Sequence, residues 1–234
     1  QTGTATLDDK SQVQFLSKKN PKMPFFYSRR NLYMIGFLLA FIVTLLEFIR
    51  GRHQNFRVFS DATQFFWQGI SPYTTEFVEA HGRYFLYSPV FTVLFAPFAY
   101  LPAWLGPFAW NLFNYSLFFM AIFTLPQQFT QQQKCRMFLF LLLILGQSLL
   151  SFQYNITVAY LFLFAYTLLE KDRGFLAVLF IMISGCTKVY GIFELALLLC
   201  YPHVWRNFGY AVTMGIVLLA LPLIKIAPAD LLPY

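Results

Sequence analysis

Charge is scarce in this chain. Asp, Glu, Lys and Arg make up only 12% of its 234 residues, where a soluble domain carries about a quarter. That sets aside an ordinary soluble globular domain. Cysteine is scarce as well: Cys135, Cys186 and Cys200 show neither metal-ligand spacing nor a paired framework. The last two lie inside apolar runs and read as buried thiols. His53, His81 and His203 have no partner at ligand spacing. Neither a phosphate-cradling glycine loop nor a dinucleotide fingerprint is present. No metal and no cofactor are therefore expected. Strand-like alternation is missing from the long apolar runs, which favours helices over a β-barrel. No small-residue cleavage site follows the first apolar run, so it reads as a retained helix and not a signal peptide.

What the chain has in abundance is apolar surface. Hydrophobic residues reach 58%, and Phe alone occurs 30 times. Apolar segments lie near 31–49, 85–101, 105–125, 137–152, 155–169, 174–187, 189–201 and 208–226. Several approach the roughly 20 residues that a spanning helix needs. The expected fold is all-α, a multi-pass transmembrane helical bundle. Residues 1–30 read as a basic, disordered cytoplasmic tail and 31–234 as the transmembrane domain. Within that domain, 50–103 reads as an outer loop with juxtamembrane or re-entrant helices. The first residue is Gln, so the chain reads as processed or trimmed. The net charge of +7 does not point to nucleic acid, because the basic residues sit in short loops between apolar segments, as membrane topology demands.

Those loops orient the chain. The tail, Lys134 with Arg136, Lys171 with Arg173, and Arg206 mark the cytoplasmic side by the positive-inside rule. In the 50–83 loop, arginines are offset by Asp61, Glu76 and Glu79, so that loop can lie outside. An odd number of crossings must then separate Asp61 from Lys134, yet two apolar segments intervene. The segment 85–101 is the one that fails to span, because Pro89 and Pro97 interrupt it and Pro102 ends it. With that choice, Gln153, Asn155 and Lys188 all arrive on the same side as Asp61. The segments 174–187 and 189–201 are short for a bilayer, about 20 Å each as α-helices.

Asp61 is the first candidate for chemistry. In a helix over 60–68 it shares a face with Gln64 and Gln68, opposite Phe59, Ala62 and Phe66. A carboxylate there suits a general base; a first-turn helix acid is the plainer reading. Gly69 to Tyr73 forms a turn. Tyr73, Tyr84 and Tyr87 with Trp67 suit either a sugar ring or an interfacial aromatic belt. Gln153 and Asn155 sit at a helix boundary, where amides bind sugar hydroxyls or simply close a polar turn. Lys188 lies inside an apolar stretch, where a charge is costly. It suits a phosphate, or else snorkels or pairs with Glu194. Arg57 and Arg83 are further phosphate candidates or plain surface charges. Glu47 is expected to pair with Arg50.

The run from Ser60-Asp61 through Gly69-x-x-Pro72-Tyr73 to Tyr87-Ser88-Pro89, then Pro97 and Leu101-Pro102, resembles glycosyltransferase family 87. So do Gln153-x-Asn155 opening a helix and Lys188 following one, and the resemblance covers about residues 31–205. It implies a GT-C-like membrane fold and an enzyme that moves a hexose, mannose foremost, from a polyprenyl-phosphate donor to an extracytoplasmic lipid or glycan acceptor. Asp61 would then act as base in an inverting transfer. Lys188, with Arg57 or Arg83, would stabilise the leaving phosphate, and Gln153, Asn155, Tyr73 and Tyr87 would position sugar or phosphate. The implied setting is the inner (plasma) membrane of an enveloped cell, with the N-terminus cytoplasmic and the site on the far side. Family members typically run longer, so a truncated or reduced form is expected. The alternative is a non-catalytic multi-pass protein on the same scaffold, such as a transporter subunit or an assembly partner. A transporter proper would want an internal repeat, and the two halves do not match.

Overall fold

A computed structural model of the protein describes residues 28–225. The expected basic tail up to residue 27 and the loop around Asp230 lie outside the described residues. The described residues are helical, with no strand. Nine α-helices follow one another: α1 Arg29–Ile49, α2 Gln54–Trp67, α3 Thr75–His81, α4 Pro89–Ala99, α5 Leu105–Phe123, α6 Gln131–Leu150, α7 Asn155–Leu169, α8 Gly174–Thr187 and α9 Val204–Ala220. A 3₁₀ segment, Val189–Cys200, separates α8 from α9.

Three stretches are long and apolar enough to cross a membrane: Arg29–Ile49, Gln131–Leu150 and Val204–Ile224. Their outward faces are greasy, as Phe140, Leu143 and Ile216 illustrate, which is what lipid contact requires. α5 is the central post. It packs on α1, α6 and α7, and its buried side includes Trp110, Tyr115, Phe118, Phe119 and Ile122. α1 meets it through Gly36, where the Tyr115 ring fills the space a Cβ would need. The Tyr115 hydroxyl then donates to the Tyr33 carbonyl at 2.9 Å. α6 opens with a capping box, Thr130 with Gln133, which satisfies two first-turn donors at once.

α4 does not cross. Its 11 residues reach about 16 Å at ~1.5 Å each, about half a hydrocarbon core. Pro89 at its first turn suits a helix start. Both of its ends are tied to neighbouring elements. Ser88 donates through its backbone to the Thr187 carbonyl and through its hydroxyl to that of Cys186, at the end of α8. At the far end the Ala99 carbonyl accepts from Gln64 of α2 at 3.2 Å.

The 3₁₀ segment has 12 residues, although such runs seldom exceed three or four. At roughly 2.0 Å per residue it spans about 24 Å, where an α-helix would reach about 18 Å. The tighter, more extended winding thus lengthens a stretch whose residue count is short for a bilayer. Packing holds it against α8: Gly191 sits on Ser184 with no room for a Cβ, and the Ser184 hydroxyl donates to Glu194 Oε1 at 2.8 Å.

The bundle has two contrasting ends. At one, α2, α3, the 151–154 turn and Lys188 converge. At the other, Lys134 donates to the Leu125 carbonyl, Tyr201 to Glu170, and Arg206 pairs with Asp172 at 3.4 Å.

Candidate functional site

The converging end carries a cavity of about 500 Å³ lined by Asn55, Arg83, Tyr87, Gln153, Asn155 and Lys188, among others. Each polar group arrives by a local device. α8 stops at Thr187, and Lys188 is extended, with φ −139° and ψ 121°. That break in helical backbone turns the lysine out of the apolar column. The Ser88 bonds to the end of α8 bring Tyr87 alongside it. Tyr73 donates its hydroxyl to the Tyr87 carbonyl at 2.6 Å, so it acts as a strut outside the cavity. Arg83 follows Gly82, which closes α3 with φ +64°, a left-handed conformation suited to glycine. Its guanidinium donates to Asn55 Oδ1 at 2.7 Å.

The 151–154 turn is strained. Phe152 is fully buried with φ +51°, a region that bulky residues rarely occupy and that costs ~1–3 kcal/mol. The turn delivers Gln153 and Asn155 to the cavity. Asn55 secures it from α2 by donating to the Ser151 carbonyl at 2.6 Å.

Lys188 is the focus of the network. Its Nζ donates to Asn155 Oδ1 at 2.7 Å and lies 3.4 Å from the Tyr87 hydroxyl. It also sits 5.0 Å from the Tyr87 ring centroid and 4.9 Å from that of Tyr190, within cation–π range. Tyr190 donates to the same Asn155 oxygen at 2.7 Å, and Asn155 donates to Gln153 Oε1 at 2.8 Å. Among the described residues no carboxylate pairs with Lys188. Glu194 does not reach it; that acid is bound to Ser184 instead. Burial lowers the Lys188 pKa because a charge loses hydration there. Burial, with the Tyr190 phenol nearby, raises the Tyr87 pKa, so its hydroxyl remains protonated. The arrangement has the chemistry to accept an anion: one ammonium, one guanidinium and a set of amides and phenols, with no acid among the described residues that line it.

A second cavity, about 520 Å³, adjoins the first and shares Asn55, Arg83 and Gln153 with it. Glu47, Arg52 and Ser151 complete much of its wall. Glu47 pairs with Arg50 at 3.2 Å, as expected. A third cavity, about 580 Å³ and almost wholly apolar, opens between α4, α5, α7 and α8, with Phe95, Trp110, Tyr154 and Phe164 on its walls. Tyr87 meets Phe91 and Tyr154 of this groove ring against ring, at 4.7 and 5.6 Å between centroids. The groove thus begins where the polar cavity ends.

Asp61 is set apart from these groups. It lines a separate pocket of about 320 Å³ with Arg57 and Gln64, and His81 Nε2 lies 2.8 Å from its Oδ2. The other ring nitrogen faces the Phe77 carbonyl at 2.9 Å, and the imidazole stacks on Phe77. The structure therefore joins Arg83, Tyr87, Gln153, Asn155 and Lys188 on one cavity and leaves Asp61, Arg57 and Tyr73 outside it. Trp67 donates to the Thr92 carbonyl, away from the site, whereas Tyr84 lines it. Sequence reasoning missed Asn55 and Tyr190, both uncharged, and the His81 partner of Asp61. For Asn55 the only signal is its place one turn before Val58 and Phe59, on the face of α2 that must pack.

Apolar helices around a cleft lined by Lys188 and Arg83 point to a helical-bundle membrane protein. The model of glycosyltransferase family 87 matches residues 85–234, more than half of the chain, and the chain belongs to that family of glycosyltransferases. Tyr87, Gln153, Asn155 and Lys188 fall within the match; Asp61, Arg57, Tyr73 and Arg83 precede it. No curated protein and no solved structure matches the chain.

Proposed function

We propose that this glycosyltransferase moves a hexose, mannose foremost, from a polyprenyl phosphate to a hydroxyl of a lipid or glycan acceptor, with inversion, on the extracytoplasmic side of the inner (plasma) membrane. The observation that carries the reading is Lys188: a half-buried ammonium in a cage of Tyr87, Tyr190 and Asn155, without a carboxylate partner among the described residues. A buried cation lacking a counter-ion is expensive, and a lipid phosphate supplies the missing charge. Arg83 adds a second cation at the rim, and Gln153 with Asn155 offers amides to sugar hydroxyls. The apolar groove beside Tyr87 and Tyr154 has the chemistry for an isoprenoid chain.

In the transfer, the acceptor oxygen attacks the anomeric carbon as the bond to phosphate breaks. Negative charge grows on the departing phosphate, where Lys188 and Arg83 are already in place. An acceptor hydroxyl also needs a proton acceptor. Asp61, the base expected from the sequence, serves only if the acceptor enters through the pocket of Arg57 and Gln64, on another face of α2.

The experiment is transfer of radiolabelled mannose from polyprenyl phosphate mannose by the protein in lipid nanodiscs. The reading expects transfer that Lys188→Met lowers ~10²–10³-fold. Undiminished transfer by that variant would overturn the role of Lys188. A non-catalytic membrane protein is the second reading, favoured by one observation: among the described residues, no carboxylate lines the Lys188 cavity. Binding of polyprenyl phosphate without transfer of any sugar would decide for it.

A further inference from the structure

The end of the bundle away from Lys188 gathers three cations that the transfer does not use. Lys134, in the first turn of α6, is half-buried. Its Nζ donates to the Leu125 carbonyl, just past the end of α5. Arg29 opens α1 and lies 5.7 Å from the ring centroid of Phe123, the last residue of α5. Lys171 stands in the turn between α7 and α8. The charges of Arg29 and Lys171 both act on the Lys134 ammonium, so the three form one cluster. Gln128 donates to the Tyr166 hydroxyl, which ties the connection after α5 to α7 and draws the two sides of the cluster together.

The acids nearest in sequence are turned away from it. Lys171 sits between Glu170 and Asp172 in a tight reversal, where the Lys171 and Arg173 amides both donate to the Leu168 carbonyl, at 3.1 and 2.9 Å. Asp172 has φ +52°, a left-handed conformation that Asp tolerates. Glu170 accepts from Tyr201, and Asp172 pairs with Arg206 at 3.4 Å. Both acids are thus taken up by the stretch that leads into α9. Among the described residues no carboxylate pairs with Arg29, Lys134 or Lys171.

Local structure explains only part of this. The carbonyls at the end of α5 favour one nearby cation, and Lys134 meets that need. The start of its own helix, α6, disfavours it. Topology asks for basic residues in the loops at one membrane face. It does not ask that three be gathered, with one half-buried.

We infer that Arg29, Lys134 and Lys171 hold the phosphate of an anionic phospholipid from the surrounding leaflet. The phosphate supplies the negative charge that the cluster lacks, in charge-assisted hydrogen bonds. The lipid, and not a soluble phosphate, is indicated by what adjoins the cluster. α1 and α6 pack on each other, and Met34 and Leu38 of α1 and Phe140 of α6 are exposed. All three are within about three turns of the cations, so acyl chains attached to the phosphate have an apolar wall beside them. Basic pockets between membrane helices recognise anionic headgroups in this way. Nothing in this site depends on the transfer of sugar.

The test is a native mass spectrometry titration of the full chain in neutral detergent, with phosphatidylglycerol against phosphatidylcholine of the same acyl chains. The parent should bind phosphatidylglycerol about tenfold more tightly or better. Arg29→Gln, Lys134→Gln and Lys171→Gln combined should abolish that preference, at about fivefold for each charge removed. Arg206→Gln, which removes a cation already paired at the same end, should keep it. A parent without the preference, or a preference that survives the triple variant, would overturn the site. So would a preference that disappears in Lys188→Met and persists in the triple variant, since the lipid would then be in the other cavity. Displacement of the lipid by glycerol 3-phosphate at equal concentration would overturn the lipid as its source. If the triple variant does not fold, the exposed single changes Arg29→Gln and Lys171→Gln take its place. Each should weaken phosphatidylglycerol about fivefold, and no loss in either would overturn the site.

Discussion

Two faces of α2 lead to two different places. Asn55, Val58 and Phe59 look into the cavity of Lys188. Arg57, Asp61 and Gln64 look into a smaller pocket, where His81 holds the carboxylate. The first face is short of charge and rich in consequence: Asn55 links Arg83 to the 151–154 turn, which carries Gln153 and Asn155. The second has the acid, but Asp61 already meets His81. A cation held without a carboxylate is a better sign of a ligand than an acid that already has its partner. The energetics agree, because a partly exposed pair such as Asp61–His81 satisfies itself at little cost, whereas the Lys188 ammonium has no counter-ion among the described residues.

The largest contrast between the faces should come from Lys188→Met. Transfer should fall ~10²–10³-fold, as when one preorganised donor to a developing anion is removed. Thermal stability should hold or rise, since a costly charge has gone. Paired kinetics and melting curves of the parent and the variant check both halves. A variant that loses stability and activity together would make Lys188 a structural residue.

The same charge can be removed by pH. Burial lowers the Lys188 pKa, so lipid phosphate affinity should be full at neutral and lower pH. It should fall as pH rises through that lowered value, sooner than an ordinary lysine would dictate. Titration of donor binding from neutral to alkaline pH checks this, with Lys188→Met as the flat reference.

A smaller effect is expected from Asn155→Ala. It releases both the Lys188 ammonium and the Tyr190 hydroxyl. Two charge-assisted or neutral hydrogen bonds at ~1–2 kcal/mol correspond to about a tenfold rise in donor Kd or more, measurable by vesicle competition. The least should come from His81→Gln on the other face. Its partly exposed pair should cost under ~1 kcal/mol of stability and leave transfer within about threefold. A collapse of transfer in that variant would move the chemistry to the Asp61 pocket.

Much of the architecture was legible before any coordinates. The runs near 31–49, 137–152 and 208–226 correspond to the three stretches long and apolar enough to span. The prolines of 85–101 pointed to an element unlike the spanning helices, and α4 is an 11-residue helix that begins at Pro89 and runs through Pro97. The 3₁₀ winding of Val189–Cys200 was not legible. It depends on α8 pressing Ser184 against Gly191, a contact that hydropathy does not encode. At the site, the loop charges put Gln153, Asn155 and Lys188 on one side, and the structure brings those three together with Arg83 and Tyr87. Helical periodicity correctly grouped Asp61 with Gln64 but could not tell which face of α2 met Lys188. That depends on where α3 and His81 close over the helix, through a partner 20 positions away in the chain.

The most direct measurement is a structure of the protein in nanodiscs with polyprenyl phosphate bound. The account predicts the phosphate within about 4 Å of Lys188 Nζ, at ion-pair distance, with the isoprenoid chain running past Tyr87 and Tyr154 into the apolar groove. Phosphate seated beside Asp61 and Arg57, with the Lys188 cavity empty, would contradict it.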